Sequence, residues 1–286
     1  MRSYRMTDVR PAAVAGSWYP ASADQLGRDV DGYVAGAAID DMPQPIAIIA
    51  PHAGLKYSGP VAGFAYKAVD RRPYGAAVLV GPSHFVGFSG VSIWPRGAWQ
   101  TPFGPVQVAE DLADRIAAAS PEMIEHPQAH GREHSLEMQL PFVAHLLRGV
   151  PIVPMLMGYQ HRETAFGLGD ALATAIARRR RGPSGPPGDN VLLVASSDLS
   201  HYQDARTAET MDAVVIGHVE RLDADGLMQA LENEPHHACG GGPMVAVLHA
   251  ARQLGATSAR VLKYADSGDV SGDKSSVVGY MAAAIW

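Results

Sequence analysis

Four short runs of aliphatic and β-branched residues, at 46–50, 76–80, 152–157 and 191–195, are apolar at consecutive positions instead of at alternate ones. A strand with one face in water needs a polar residue at every second position, so runs of this kind belong to a sheet covered on both faces. Further runs at 91–94, 261–264 and 276–280 also read as strands. The covering layers are supplied by segments of helical periodicity at 22–35, 61–69, 109–119, 135–147, 162–177, 206–221 and 243–254. Strands alternating with helices predict an α/β fold, layered, with a largely parallel or mixed sheet flanked by helices.

The chain has 286 residues, 47% of them hydrophobic and 18% charged, enough to bury a sizeable core without staples. We read one domain over 1–286, because the Pro/Gly-rich stretch at 179–189 interrupts the pattern without changing the composition on either side. That stretch is expected to be a surface loop, and the arginines at 178–181 to be the cation-rich end of the preceding helix.

A net charge of −6 offers no basic field for phosphate backbones, which argues against nucleic-acid binding. No apolar stretch approaches the roughly 20 residues needed to span a bilayer, and the first sixteen residues lack an apolar signal core, so a cytoplasmic protein without membrane contact is expected. Cys239 is the single cysteine, which excludes an intramolecular disulfide and a multi-cysteine zinc ribbon. A buried thiol, a nucleophile and a mixed-ligand metal site stand as its three possible roles.

In open α/β sheets ligands bind beyond the carboxyl ends of the strands. Three of the apolar runs end in polar residues that suit such a place: 46–50 leads into Pro51-His52-Ala53-Gly54, 76–80 into Gly81-Pro82-Ser83-His84, and 191–195 into Ser196-Ser197-Asp198-Leu199-Ser200-His201. Two more segments add candidates. In Glu133-His134-Ser135-Leu136-Glu137, His134 and Glu137 are spaced to share a helix face, or the segment is an ordinary helix entry with Ser135 as N-cap. In His236-His237-Ala238-Cys239-Gly240-Gly241-Gly242-Pro243, a helix N-terminus would favour the thiolate of Cys239, and the glycines would let backbone approach a ligand closely. As a metal ligand, Cys239 would join imidazoles in a site suited to iron, copper or zinc.

Together with Gly16-Ser17-Trp18-Tyr19-Pro20, Met138-Gln139-Leu140-Pro141 and Cys239-Gly240, these motifs occur in the order of the Memo family, which the chain resembles over nearly its whole length. The likeness is to the AmmeMemoRadiSam system protein B type, similar in fold to the class III extradiol dioxygenases. The resemblance implies metal ligands at His52, His84 and Cys239, with His134, Asp198 and His201 around them. It makes His201 the candidate acid and base, with Asp198 and His134 as orienting partners. It implies Fe(II), with copper or zinc as the other ions to consider, an unidentified small-molecule substrate, and an AMMECR-type protein and a radical SAM enzyme as partners. Cys239 stands where the dioxygenases have a carboxylate, and Gly241 and Gly242 stand where animal Memo proteins have a basic residue and a histidine. The expected function is therefore a non-haem iron redox enzyme, with a zinc hydrolase and a non-catalytic copper, iron or peptide binder as alternatives.

Overall fold

A computed structural model describes residues 9–120, 122–180 and 190–286. Its strands are β1 (Val9–Arg10), β2 (Ala47–Ala50), β3 (Ala76–Pro82), β4 (Val91–Ile93), β5 (Ala98–Thr101), β6 (Gly104–Gln107), β7 (Met123–Ile124), β8 (Ile152–Met157), β9 (Val191–Ser196), β10 (His201–Gln203), β11 (Ala259–Asp266) and β12 (Val277–Ile285). The main helices are α1 (Ala23–Gly36), α2 (Leu55–Lys67), α3 (Glu110–Ala119), α4 (Pro127–Gly131), α5 (Leu140–Leu146), α6 (Arg162–Arg180), α7 (Ala205–Glu220), α8 (Ala224–Asn233) and α9 (Gly241–Gln253). Among the described residues no helix is long and apolar enough to cross a membrane.

The four consecutive apolar runs are neighbours. β2, β9, β3 and β8 lie side by side and run parallel, with Ala47 opposite Leu193, Val78 opposite Leu193 from the other side, and Val80 opposite Met155. Antiparallel β12 extends this core beyond β2, and antiparallel β4 extends it beyond β8, so the sheet is mixed. Each strand buries both faces. Ala47 and Ile49 of β2 pack with Val78, Leu193 and the helices α3, α6 and α9, whereas Ile48 and Ala50 pack with Leu79, Val194 and the helices α1, α2 and α5. A period of two is thus present, but both phases are apolar because helices cover both sides.

Helix entries follow local chemistry. Ser22 accepts from Gln25 N at the start of α1, Asp204 from Arg206 N and Thr207 N at α7, and Asp223 from Gly226 N at α8. Three elements differ from the sequence reading. The helix expected at 61–69 begins at Leu55, with Pro60 inside it; Pro60 and Lys56 both face solvent, so the carbonyl left without a proline N–H meets water. The segment 135–147 is a 3₁₀ turn, Glu137–Gln139, followed by α5, and Ser135 is not its N-cap, since its Oγ donates to Pro82 O at 2.9 Å. α6 runs to Arg180, two residues into the stretch expected as loop; 181–189 lies outside the described residues. The small sheet β1-β5-β6 and helix α8 have no counterpart in the sequence reading.

That small sheet brings Arg10 inside. Arg10 lies 4.1 Å over the Trp99 ring and donates from Nε to His130 O, from Nη2 to Glu133 O and from Nη1 to Glu137 Oε2, each at 2.7 Å. Glu137 Oε1 also accepts from Ala13 N and Val14 N at 2.9 Å and from Tyr19 Oη at 2.8 Å. Arg10 and Glu137 are 1% and 0% exposed, so removing either leaves a buried, uncompensated charge. Arg10→Ala and Glu137→Ala are each expected to lower stability by about 3–5 kcal/mol in urea unfolding, and a loss under about 1 kcal/mol would contradict the clamp.

His130, wholly buried beside Trp94 and Trp99, is pushed down to about 3 by burial and by the Arg10 charge. Between its ordinary 6.5 and about 3 the unfolded chain binds a proton that the native one does not. This contribution to stability is complete above 6.5 and falls as pH drops toward 3, by about 1.4 kcal/mol per unit. His130→Phe should therefore lose about 2 kcal/mol less than the parent between pH 7 and pH 5 in paired urea titrations; equal losses would refute it.

Candidate metal centre

Because β2, β9 and β3 are adjacent and parallel, their carboxyl ends open onto one edge. Two residues past β2 stands His52, two past β9 stands Asp198, and two past β3 stands His84. Cys239 arrives from the opposite direction, on the turn before α9. One donor atom each from His52, His84 and Cys239 lies within 4.8 Å of the other two, and Cys239 Sγ is 3.2 Å from His52 Nε2. The glycines after Cys239 serve this approach through packing. A side chain at Gly240 would run into the Ser196 carbonyl and Ser197, one at Gly241 into Leu231, and one at Gly242 into Met157 and Gln160. They let the chain segments around Cys239 pack closely against one another.

The hydrogen-bond network fixes which nitrogen each imidazole presents. Ser196 Oγ donates to Ser135 O at 2.6 Å, which leaves it as acceptor for Gln139 Nε2 at 2.7 Å and for His52 Nδ1 at 2.9 Å. His52 therefore carries its proton on Nδ1, and Nε2 keeps a lone pair toward Cys239. Burial, and then the neighbouring His84 and His134, hold its pKa well below the ordinary histidine value, so the ring is neutral. His84 is set the same way by a different partner: Glu133 Oε1 lies 2.9 Å from His84 Nδ1, and Glu133 Oε2 accepts from His84 N at 2.5 Å. Burial alone would raise the Glu133 pKa, but the hydrogen bond and charge of His84, together with backbone donors, outweigh it and hold the carboxyl at about 2. As an ionised acceptor it requires a proton on Nδ1 of His84, so Nε2 is the nitrogen left to face a ligand.

Cys239 behaves differently from the sequence expectation. Burial and the nearby Asp198 carboxylate push its thiol upward, outweighing the helix N-terminus that was expected to favour the thiolate. Its Sγ accepts from Asp198 N at 3.3 Å. Two imidazoles anchored through Nδ1, each with Nε2 left for a ligand, and a thiol that needs a neighbouring cation to ionise form a chemically coherent donor set for a soft or borderline metal ion.

The other expected residues surround this set. His134 stacks on His84 at 4.7 Å between ring centroids and lies 5.7 Å from His52; burial lowers its pKa. Asp198 Oδ1 accepts from His52 N at 2.7 Å and Ala53 N at 3.3 Å, so this carboxylate holds the turn that carries His52. Burial pushes the Asp198 pKa up. His201 donates from Nδ1 to Leu199 O at 2.8 Å, and its Nε2 has no hydrogen bond among the described residues; its orientation comes from that carbonyl, with none to Asp198 or His134. Glu137, at the spacing expected to share a face with His134, turns instead to Arg10 and the segment at 13–19.

Sequence reasoning missed four contributors as parts of the site. Glu133 and Ser196 orient the two histidines, and Gln139 links Ser196 to Pro51 O and to the Tyr66 hydroxyl. Trp18 lies 4.3 Å from the His134 ring. Their signal was adjacency, since each belongs to or borders a motif already noted for another residue. Ser196→Ala would strip the acceptor from two N–H groups, and it is expected to cost about 1–3 kcal/mol and to leave His52 as a mixture of tautomers in ¹⁵N spectra of the ring. A pure Nδ1–H tautomer in that variant would sink the assignment.

A family model described as Memo-like protein matches residues 10–284. The chain is 37% identical over 281 residues to a MEMO1 family protein of Methanothermobacter thermautotrophicus, covering 95% of this chain and 98% of the relative. It is 37% identical over 276 residues to one from Methanosarcina mazei (96% and 98% covered) and 35% identical over 288 residues to one from Thermotoga maritima (97% and 99% covered).

Proposed function

The chain belongs to the Memo family, and from that premise and the donor geometry we propose that it binds one metal ion through His52, His84 and Cys239 and acts as a dioxygenase-like, non-haem iron oxidoreductase on a small substrate. The observation that carries the reading is the meeting of a thiol and two imidazole nitrogens, delivered by three separate loops within 4.8 Å of one another. Clusters of this kind are costly to assemble by accident, because each imidazole here has its own buried partner fixing its tautomer. Bound there, Fe(II) supplies one-electron chemistry and coordination positions that the protein leaves free. Copper and zinc are the competing ions for a two-histidine, one-thiolate set.

The chain's own residues then divide the remaining work. His201 is steadied through Nδ1 by Leu199 O, which leaves Nε2 as the nitrogen positioned to exchange a proton, the geometry a general acid or base needs. Asp198 keeps the His52 turn in place through its backbone N–H groups. Trp18 and Phe85, both exposed, flank the His134 ring at 4.3 and 5.8 Å and offer an apolar rim to a substrate at the mouth of the cleft.

Protein purified anaerobically with iron in excess is expected to bind about one Fe(II) per chain, and Cys239→Ser and His52→Ala to weaken binding by more than the ~100-fold typical of a lost outer-shell partner. His201→Ala should keep the metal and lose oxygen consumption with substrate. Metal content unchanged in Cys239→Ser would remove the centre, while redox-inert zinc retained from iron-replete cells would move the chemistry to hydrolysis.

A further inference from the structure

The two histidines of the proposed centre are held by partners of different charge. His52 Nδ1 meets the neutral hydroxyl of Ser196, whereas His84 Nδ1 meets the Glu133 carboxylate. Glu133 is only 1% exposed, and its two oxygens accept from four N–H groups: His84 N and Nδ1, His134 N at 2.8 Å and Ser135 N at 2.9 Å. Four donors and no acceptor beside it describe an ionised carboxylate. Three of them fall on Oε1 and His84 N alone on Oε2, so although Glu133 groups with His84 and His134 as a second possible donor set, both oxygens already hold His84 in place. Its charge sits immediately behind one ligand ring, in a region from which water is largely excluded.

We infer that Glu133 is the specificity-determining residue of the centre: a fixed negative charge behind His84 that selects divalent over monovalent metal ions. The inference rests on the metal-binding reading above. The attraction between a fixed charge and an ion is proportional to the ion's charge, so Glu133 favours a divalent ion twice as strongly, in free energy, as a monovalent one at the same place. The softness of Cys239 would otherwise welcome Cu(I). Fixing the His84 tautomer helps every ion alike, so only the electrostatic part of Glu133's influence separates the two classes. No other carboxylate in the cluster stands behind a ligand ring, since Asp198 is engaged with the His52 and Ala53 backbone.

The test is competitive titration of the whole protein with Zn(II) and with Cu(I), under anaerobic reducing conditions, for the parent and for Glu133→Gln. The expected result is a loss of about 10–100-fold for Zn(II) and of only about the square root of that, ~3–10-fold, for Cu(I). Equal losses for both ions, or a larger one for Cu(I), would overturn the inference and leave Glu133 a purely positioning residue. If Glu133→Gln does not fold by circular dichroism, Glu133→Asp decides: it keeps the charge, so the Zn(II)/Cu(I) preference should stay within about threefold of the parent, and a shift toward Cu(I) beyond that would refute the assignment. A parent protein that binds neither ion removes the metal centre itself and the inference with it, an outcome distinct from a parent that binds both with a preference Glu133→Gln leaves unchanged.

Discussion

A carboxylate taken wholly out of water is tolerated only when a counter-charge and hydrogen-bond donors replace the lost hydration. Glu137 meets that condition with Arg10, two backbone N–H groups and the Tyr19 hydroxyl. Arg10 in turn is satisfied by the carbonyls of His130 and Glu133. Through this one ion pair the segment at 10–19 is fastened to the segment at 130–139. The consequences reach the cleft on both sides. Trp18 is held over His134, and its carbonyl receives the N–H of Leu55 at the start of α2; Glu133, whose own carbonyl Arg10 binds, is held against His84.

Two acidic residues four positions apart therefore perform separate tasks. Glu137 faces away from the cleft and carries the fold; Glu133 faces toward it and sets the electrostatics of a ligand. Both are buried under hydrogen-bond donors, Glu137 with the Arg10 counter-charge and Glu133 with the four N–H groups of His84, His134 and Ser135. The 3₁₀ turn that begins at the second of them in sequence, Glu137–Gln139, rotates successive side chains by about 120°, and it sends Gln139 to Ser196 while Glu137 goes to Arg10. A regular α-helix over 135–147 would distribute those side chains differently around its axis.

Much of this was legible in the sequence because strand ends are legible. Apolar runs at 46–50, 76–80, 152–157 and 191–195 read as covered strands, and the polar residues following three of them emerge at a shared edge because those strands are parallel neighbours. What sequence did not disclose were residues whose partners lie far along the chain. Glu133 and Glu137 look alike in a helix-entry motif; which faces the cleft depends on Arg10, more than 120 residues away in sequence. Ser196 is an ordinary small polar residue at a strand end until His52 and Gln139 converge on it. The hairpin β5–β6 and the strand β1 escaped because their pairs are short, and their signal lies in Trp99 and Arg10 packing together rather than in alternation.

A thiol at position 239 suits its surroundings better than a carboxylate would. A carboxylate in this position would lie against Asp198, whose carboxyl is already raised by burial, and two anions there would repel. A thiol avoids that conflict, since it stays protonated beside Asp198 and can donate to His52 Nε2, the lone pair directed at it. On the proposed reading its negative charge would develop only with a cation to offset it, so ligand ionisation would be conditional on metal arrival. In such an arrangement the proton on sulfur and the metal compete for the same place, and the fold need not support an uncompensated anion.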